Sequence, residues 1–221
     1  MISNGAYLFL DTSSAQFEVG LLKDKRWLSR KSSQEPALEG LFQVVEGCLY
    51  EANETIEGLK GVIFCSGPGS ILGARVASVA VKTWQILREH EFDIYSFENL
   101  HCLALQRLEE DPKGTFAICN FWKRDNWNVL KVQSGKVTRI KVLSTTQLES
   151  FEGDIYYFKQ RSNDAEPSFD FECIENDLEL FPRFINSENF LRKTSEPEIY
   201  TQDVTVYKKW DAQIHASSSK V

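Results

Sequence analysis

The chain has 221 residues, 42% apolar and 26% charged, with a formal net charge of −7 and a pI near 5.1. This length and apolar fraction suffice for one large domain or two small ones with a buried core, and the acidic balance repels polyanions, so strong direct nucleic-acid binding is not expected. Five cysteines, at 48, 65, 102, 119 and 173, are odd in number and never closer than 17 residues, which excludes a disulfide framework or a Cys-x-x-Cys metal site and points to a reducing compartment.

The apolar run Ala6 to Leu10 ends at Asp11, too short for a secretion signal or a membrane span, so a cytoplasmic protein without membrane contact is expected. Tyr7 to Asp11, Gln16 to Lys23 and Arg26 to Lys31 read as a strand and an antiparallel meander. From Leu38 the period changes: Leu38, Leu41, Phe42, Val45, Cys48, Leu49 and Ala52 recur at helical spacing, giving an amphipathic helix with a continuous apolar stripe. Gly61 to Ser66 reads as a buried strand, Gly67-Pro68-Gly69-Ser70 as a turn, and Leu72 to His90 as a second helix. Small and apolar residues run nearly all the way round that helix, as expected when it is buried on several sides.

Asp93 to Tyr95 reads as a strand, with Ser96 capping a helix to about Leu108. The polar stretch Glu109 to Gly114 is the expected domain boundary. Beyond it Thr115 to Asn120, Trp127 to Val132 and Val137 to Val142 repeat the three-strand opening, which suggests duplicated halves. Ser144 with Gln147 forms a capping box for a short helix to Phe151, and Ile155 to Phe158 is another strand. Asp164 to Pro167 is a polar loop, Leu178 to Leu191 is interrupted by Pro182, and the tail after Trp210 is too polar to pack. The division expected is a first lobe over 1–109, a smaller second lobe over 110–211, and a flexible tail over 212–221.

Candidate chemistry is sparse. Asp11-Thr12-Ser13 closes the first strand and by itself reads as an ordinary turn. Gly67, Gly69, Ser70 and Gly73 precede a helix whose N-terminus is suited to an anion, yet the Gly-Lys-Ser/Thr ending of a P-loop is missing. Ser70 has Pro68 two residues before it and Leu72 two after, so it is no nucleophile elbow. His90, His101 and His215 never fall at i, i+4, so no helical metal site is expected. The run from Phe121 to Trp127 interleaves basic and aromatic residues as single-strand binders do, but in an acidic chain it reads first as a hairpin connection with amphipathic flanks.

The stretches LFLDTSSAQFEVGLL, SGPGSILGARVASVAVKTWQ, SFENLHCLA and EPEIYTQDVTVYKK, in this order and separation, resemble the TsaB (YeaZ) family, the dimerisation subunit of the bacterial tRNA threonylcarbamoyladenosine machinery. The most specific piece is Gly67, Pro68, Gly69, Ser70, Gly73 and Arg75, matching Gly-Pro-Gly-Ser-x-x-Gly-x-Arg; Tyr200 and the Lys208-Lys209 pair add to it. The chain departs from the family at Ser66, at Ile71-Leu72, at Ala37 and Gln43 in the first helix, at Asn120-Phe121-Trp122 and at Tyr200-Thr201-Gln202.

The resemblance implies an α/β, duplicated actin/Hsp70-like (ribonuclease H-like, ASKHA) fold of two mixed-sheet lobes with flanking helices. It further implies a scaffold without catalytic residues or metal that pairs with a TsaD-like catalytic subunit, in a machinery that includes a TsaE-like ATPase, and forms a homodimer when alone. No intrinsic cofactor is expected; ATP or ADP is a candidate only at the partner interface. The expected interface comprises Leu38, Leu41, Phe42, Val45, Leu49, Val76, Val79 and Ala80. The expected vestigial phosphate or structural loops are Asp11, Thr12, Gly67, Gly69, Ser70, Gly73 and Arg75. In nucleotide-hydrolysing proteins of this fold, glycine turns from both halves approach the phosphates; here the second half has only the isolated Gly114, Gly135 and Gly153. The rival readings are a small-molecule kinase or hydrolase using Asp11 and the Gly69 loop, and a nucleic-acid-binding module around Trp122 and Trp127.

Overall fold

The computed structural model describes residues 2, 4–88 and 91–200. His90, His215, the Thr201-Gln202 and Lys208-Lys209 pairs and the tail lie outside the described residues. Two six-stranded mixed sheets organise the chain.

The first sheet opens with the antiparallel meander β1 (Ala6–Asp11), β2 (Phe17–Lys23) and β3 (Arg26–Ser33). Helix α1 (Ala37–Glu51) leads to β4 (Gly61–Gly67), which pairs parallel with β1, and helix α2 (Ile71–Leu87) leads to β5 (Asp93–Glu98), parallel with β4. Helix α3 (Asn99–Glu110) then carries the chain to the second sheet. There β6 (Phe116–Lys123), β7 (Asn126–Gln133), β8 (Lys136–Val137) and β9 (Lys141–Ser144) form an antiparallel meander. The short α4 (Thr145–Glu149) precedes β10 (Asp154–Tyr157), parallel with β6, and β11 (Glu172–Cys173) is parallel with β10.

The order β5-β4-β1-β2-β3 in the first sheet thus recurs as β11-β10-β6-β7-β8 in the second. The two halves have one topology; among the described residues the second half has only the short α4 before β10 and no helix between β10 and β11. After β11 the chain returns: α5 (Phe181–Phe184) packs on the first sheet and β12 (Arg192–Thr194) pairs antiparallel with β5. Residues 178–194 therefore sit with the first lobe, although their place in the sequence assigned them to the second.

Each sheet buries both faces. Leu41, Val45, Cys48 and Leu49 of α1 and Ala77, Ala80 and Val81 of α2 cover one face of the first sheet; the aromatic cluster of Phe9, Phe97, Phe181 and Phe190 fills the other. Leu100, Leu103 and Ala104 of α3 meet Ile118, Leu130 and Tyr156 of the second sheet, while Cys102 of the same helix joins the aromatic cluster, so α3 is wedged between the two sheets. Trp127, Leu148 and Tyr157 form the core on the outer face of the second sheet.

Two expected elements differ. Ser96 does not cap a helix, because its backbone is already paired opposite Phe64 and Arg192 in the sheet, and α3 begins three residues later after Glu98. The strand expected over Val137 to Val142 is split, since the Thr138 hydroxyl donates to the Lys131 carbonyl at 2.8 Å and breaks the ladder between β8 and β9. The Ser144–Gln147 capping box is present, with the Ser144 amide donating to Gln147 Oε1 and the Gln147 amide to Ser144 Oγ.

Candidate functional site: an interlobe seam and a two-helix face

The loops that end β1 and β4 lie side by side at the seam between the sheets. Asp11 Oδ1 accepts from the Ser13 amide at 3.0 Å and from Ser13 Oγ at 2.6 Å, the self-bonded turn that Asp favours. The Ser70 amide donates to the Ser13 carbonyl at 2.7 Å, and Ser70 Oγ caps α2 by accepting from the Gly73 amide at 3.2 Å. A Cβ on Gly69 would collide with the Ser13 carbonyl and the Gln160 amide group, and one on Gly73 with the Thr12 carbonyl. These glycines permit the two loops to touch each other; Arg75, one turn along α2, is exposed.

From the second sheet, amide side chains reach directly into this loop pair. Gln160, just beyond β10, donates from Nε2 to the Pro68 carbonyl at 2.9 Å and to the Ser13 carbonyl at 3.3 Å. Asn120 of β6 donates to Gln160 Oε1 at 2.8 Å and to the Pro68 carbonyl at 3.3 Å, and Asn128 of β7 donates to Asn120 Oδ1 at 2.8 Å. Asn99, at the start of α3, adds donors to Pro68 O at 2.7 Å and Ser13 Oγ at 2.9 Å. The backbone completes the seam, with the Ala15 amide donating to the Gln160 carbonyl at 2.9 Å. Asn99, Asn120, Asn128 and Gln160 are all buried. A connected chain of neutral amides thus joins the lobes at the mouth of the glycine loop, each bond strengthened by its neighbours away from water. The Thr12 hydroxyl and Asn99 Oδ1 are buried there with no hydrogen-bond partner among the described residues.

Beside the seam a groove of about 610 Å³ is lined by Asp11, Glu18, Tyr157, Lys159, Arg161 and Glu175, among others. Burial raises the pKa of the Asp11 carboxyl against the lowering effect of the Ser13 bonds, and burial likewise raises that of Glu18. Among the described residues no three His, Cys, Asp or Glu side chains come together as a metal site. His101 is held against the Phe190 ring, and burial lowers its pKa to about 4.

The second feature is the outer face of α1 and α2, which pack together with Phe42 edge-on to Trp84 at 6.0 Å. Of the expected interface, Leu38, Phe42 and Val79 are exposed by 64%, 52% and 66%, and they are joined by Leu72 at 61% and Ile86 at 71%. Leu41, Val45, Leu49 and Ala80 are a correction: all four are buried against the first sheet, and Val76 is half-buried against the same core. Leu72, Val79 and Ile86 follow at seven-residue spacing along one stripe of α2. The segment 195–197 runs along the flank of that helix, where Ser78 Oγ donates to the Pro197 carbonyl at 2.6 Å and Lys82 pairs with Glu196 at 2.7 Å.

The sequence reading missed the amide network. Its signal is the placing of Asn120 and Asn128 inside otherwise apolar strand runs, where a buried amide needs a fixed partner. Trp127 is likewise not a surface residue: it is buried, with Nε1 donating to Thr145 Oγ1 at 2.9 Å and its ring edge-on to Tyr157, so it is closed to a base.

The duplicated β-meander topology, with helices on the faces and the seam between two like halves, is the actin/Hsp70-like fold. No protein-family model and no curated protein matches the chain. Among solved structures it is similar to YeaZ from Pseudomonas aeruginosa, with a TM-score of 0.56 and 21% identity over 69% of this chain and 74% of that one. It is also similar to an uncharacterised protein described as resembling peptidase YeaZ from Pseudomonas aeruginosa, with a TM-score of 0.61 and 19% identity over 90% of this chain and all of that one. The shared fold spans both lobes. Among the described residues no helix is long and apolar enough to cross a membrane.

Proposed function

We propose that this chain is a divergent TsaB-family protein, a non-catalytic dimerisation subunit in tRNA threonylcarbamoyladenosine synthesis that pairs with a TsaD-like catalytic subunit. The observation that carries the pairing is the strip of exposed aliphatic and aromatic residues on α1 and α2, Leu38, Phe42, Leu72, Val79 and Ile86, in a protein whose sheets are already covered. Contiguous apolar surface of this kind on two adjacent helices suits an interface of helices with helices. Each such side chain fully buried contributes roughly 1.5–3 kcal/mol before the cost of ordering and association. The same strip serves a homodimer when the catalytic partner is absent.

The non-catalytic reading is supported by the seam. The place where proteins of this fold hold phosphates between lobes is here spanned by Gln160 and Asn120 hydrogen-bonded to the glycine loop itself. A triphosphate entering there would have to break that network and meet the partly desolvated carboxyls of Asp11 and Glu18.

The test is co-purification with the TsaD-like subunit of the same organism. Wild-type chain is expected to form a heterodimer, and Phe42→Asp to abolish it while the melting temperature stays within a few degrees. Heterodimer formation unchanged by Phe42→Asp would remove the interface. ATP turnover by the purified chain that is lost in Asp11→Asn would overturn the non-catalytic assignment in favour of a kinase or hydrolase.

A further inference from the structure

The charge of this protein is segregated along its chain. Residues 111–144, which form β6 to β9, hold seven Lys and Arg against two Asp, a balance of +5. Residues 145–200 hold thirteen Asp and Glu against five Lys and Arg, a balance of −8. The overall −7 hides a basic segment of 34 residues.

The fold puts the latter part of that segment on one margin. Strands β8 and β9 both pair with β7 on the side away from β6, so they form the free edge of the second sheet. Lys131, Arg139 and Lys141 surround a hollow of about 290 Å³ that also includes Val129 and Leu143. Lys131 Nζ stands 5.0 Å from the centre of the Phe151 ring. At the tip of the β6–β7 hairpin Lys123 and Arg124 are exposed, and Lys123 Nζ lies 4.0 Å from the centre of the half-exposed Trp122 ring.

Nine ion pairs form elsewhere in the molecule, yet none of the seven cations of this segment has an acidic partner within 4.0 Å among the described residues. Arg139 acts on the Glu98 carboxylate across the seam, opposing the rise in pKa that burial causes. Lys131, Arg139 and Lys141, which line one hollow with no acidic partner within 4.0 Å among the described residues, repel each other, a cost that an anionic partner would remove. Screening limits the reach of charge to about 8 Å at physiological salt, so a partner resting on this margin feels its cations more than the acidic remainder. The half-exposed Trp122 ring beside Lys123 offers an unpaired RNA base next to the backbone a stacking face that an acidic peptide cannot use.

We propose that the free edge of the second sheet, from the Trp122 hairpin tip to the Lys131–Arg139–Lys141 hollow, is a contact surface for the phosphate backbone of a folded RNA. Naming that RNA as tRNA rests on the function proposed above; the surface does not. Binding by the isolated chain is weak, since its net charge is negative, and the edge adds to whatever grip an assembly already has.

The experiment is a fluorescence-anisotropy titration of labelled bulk tRNA with the full chain at 50 and 200 mM salt. It compares wild type, the triple variant Lys131→Glu/Arg139→Glu/Lys141→Glu, and Trp122→Ala, each checked for an unchanged thermal melt. With about three phosphate contacts, wild-type affinity is expected to fall roughly 10- to 50-fold between the two salts. The triple variant should lose at least about tenfold at 50 mM and flatten the salt dependence by about three units of logarithmic slope. Trp122→Ala should weaken binding severalfold at either salt. Three outcomes would overturn the proposal: no saturable binding at 50 mM salt, equal binding by the triple variant, or displacement of tRNA by equimolar poly-glutamate, which would make the edge an acidic-protein surface. Capture of the catalytic partner by the same preparations is scored separately. Loss of capture with tRNA binding intact sinks the dimerisation reading alone, and the reverse sinks the RNA surface alone.

Discussion

Gly69 is the residue on which the seam turns, because it lies where a side chain would strike the Ser13 carbonyl on one side and Gln160 on the other. Both obstacles belong to the protein. Gly69→Ala should therefore destabilise the fold by about 1–3 kcal/mol through overpacking, and a thermal melt should register a fall of several degrees. Asn120→Ala and Gln160→Ala each leave a buried partner unsatisfied and should cost about 1–3 kcal/mol. Because the two amides bond each other at 2.8 Å, denaturant titration of the double variant should show a loss smaller than the sum of the singles; strict additivity would mean the seam is not one network. Asp11 has the opposite sense. Burial raises its folded-state pKa, so as pH climbs past the ordinary carboxylate value the unfolded chain ionises first and stability falls, levelling off once the folded carboxyl ionises too. Asp11→Asn keeps an oxygen to accept the Ser13 bonds, and its melting temperature should exceed that of wild type at pH 7 and converge with it toward pH 4.

At the scale of the element, α1 and α2 each divide their apolar residues between two jobs. In α1 the chain places Leu41 and Phe42 next to each other in sequence but about 100° apart around the axis, so one is sealed against the first sheet and the other lies at the surface beside Trp84. Leu41→Ala should cost about 2–5 kcal/mol in stability whatever the partner does. Phe42→Asp and Val79→Asp should leave unfolding nearly unchanged and act on association. A melt and a size-exclusion profile on each variant separate the two jobs; a Val79→Asp chain that unfolds like Leu41→Ala would show that the outer stripe is also core.

At the scale of the molecule, two sheets of one topology are joined by α3 and by the returning 178–194 segment, and the halves differ in their helices. The first lobe keeps long helices and an apolar outer face; the second keeps little beyond its sheet and gathers cations on its free edge. The proposed partner face and the proposed RNA edge thus fall on different halves.

Much of this was legible in the residues. Strands β1, β2, β4 and β7 and helices α1 and α2 follow from period and composition, because local alternation and turn chemistry are written over a few residues. The repeated meander was visible for the same reason, and the Gly-Pro-Gly-Ser run already carried the likeness to YeaZ proteins. What a one-dimensional reading could not divide was an amphipathic stripe wide enough to serve both core and surface: Leu41 and Leu38, or Ala80 and Val79, differ only in which neighbour the sheet supplies. Nor could it foresee that Asn120 and Gln160, 40 residues apart, meet on the carbonyl of Pro68, or that the chain returns from 178 to the first sheet. Those outcomes depend on contacts between distant segments. Burial and polar satisfaction are properties of the assembled surfaces, and they are decided only when the two lobes close on each other.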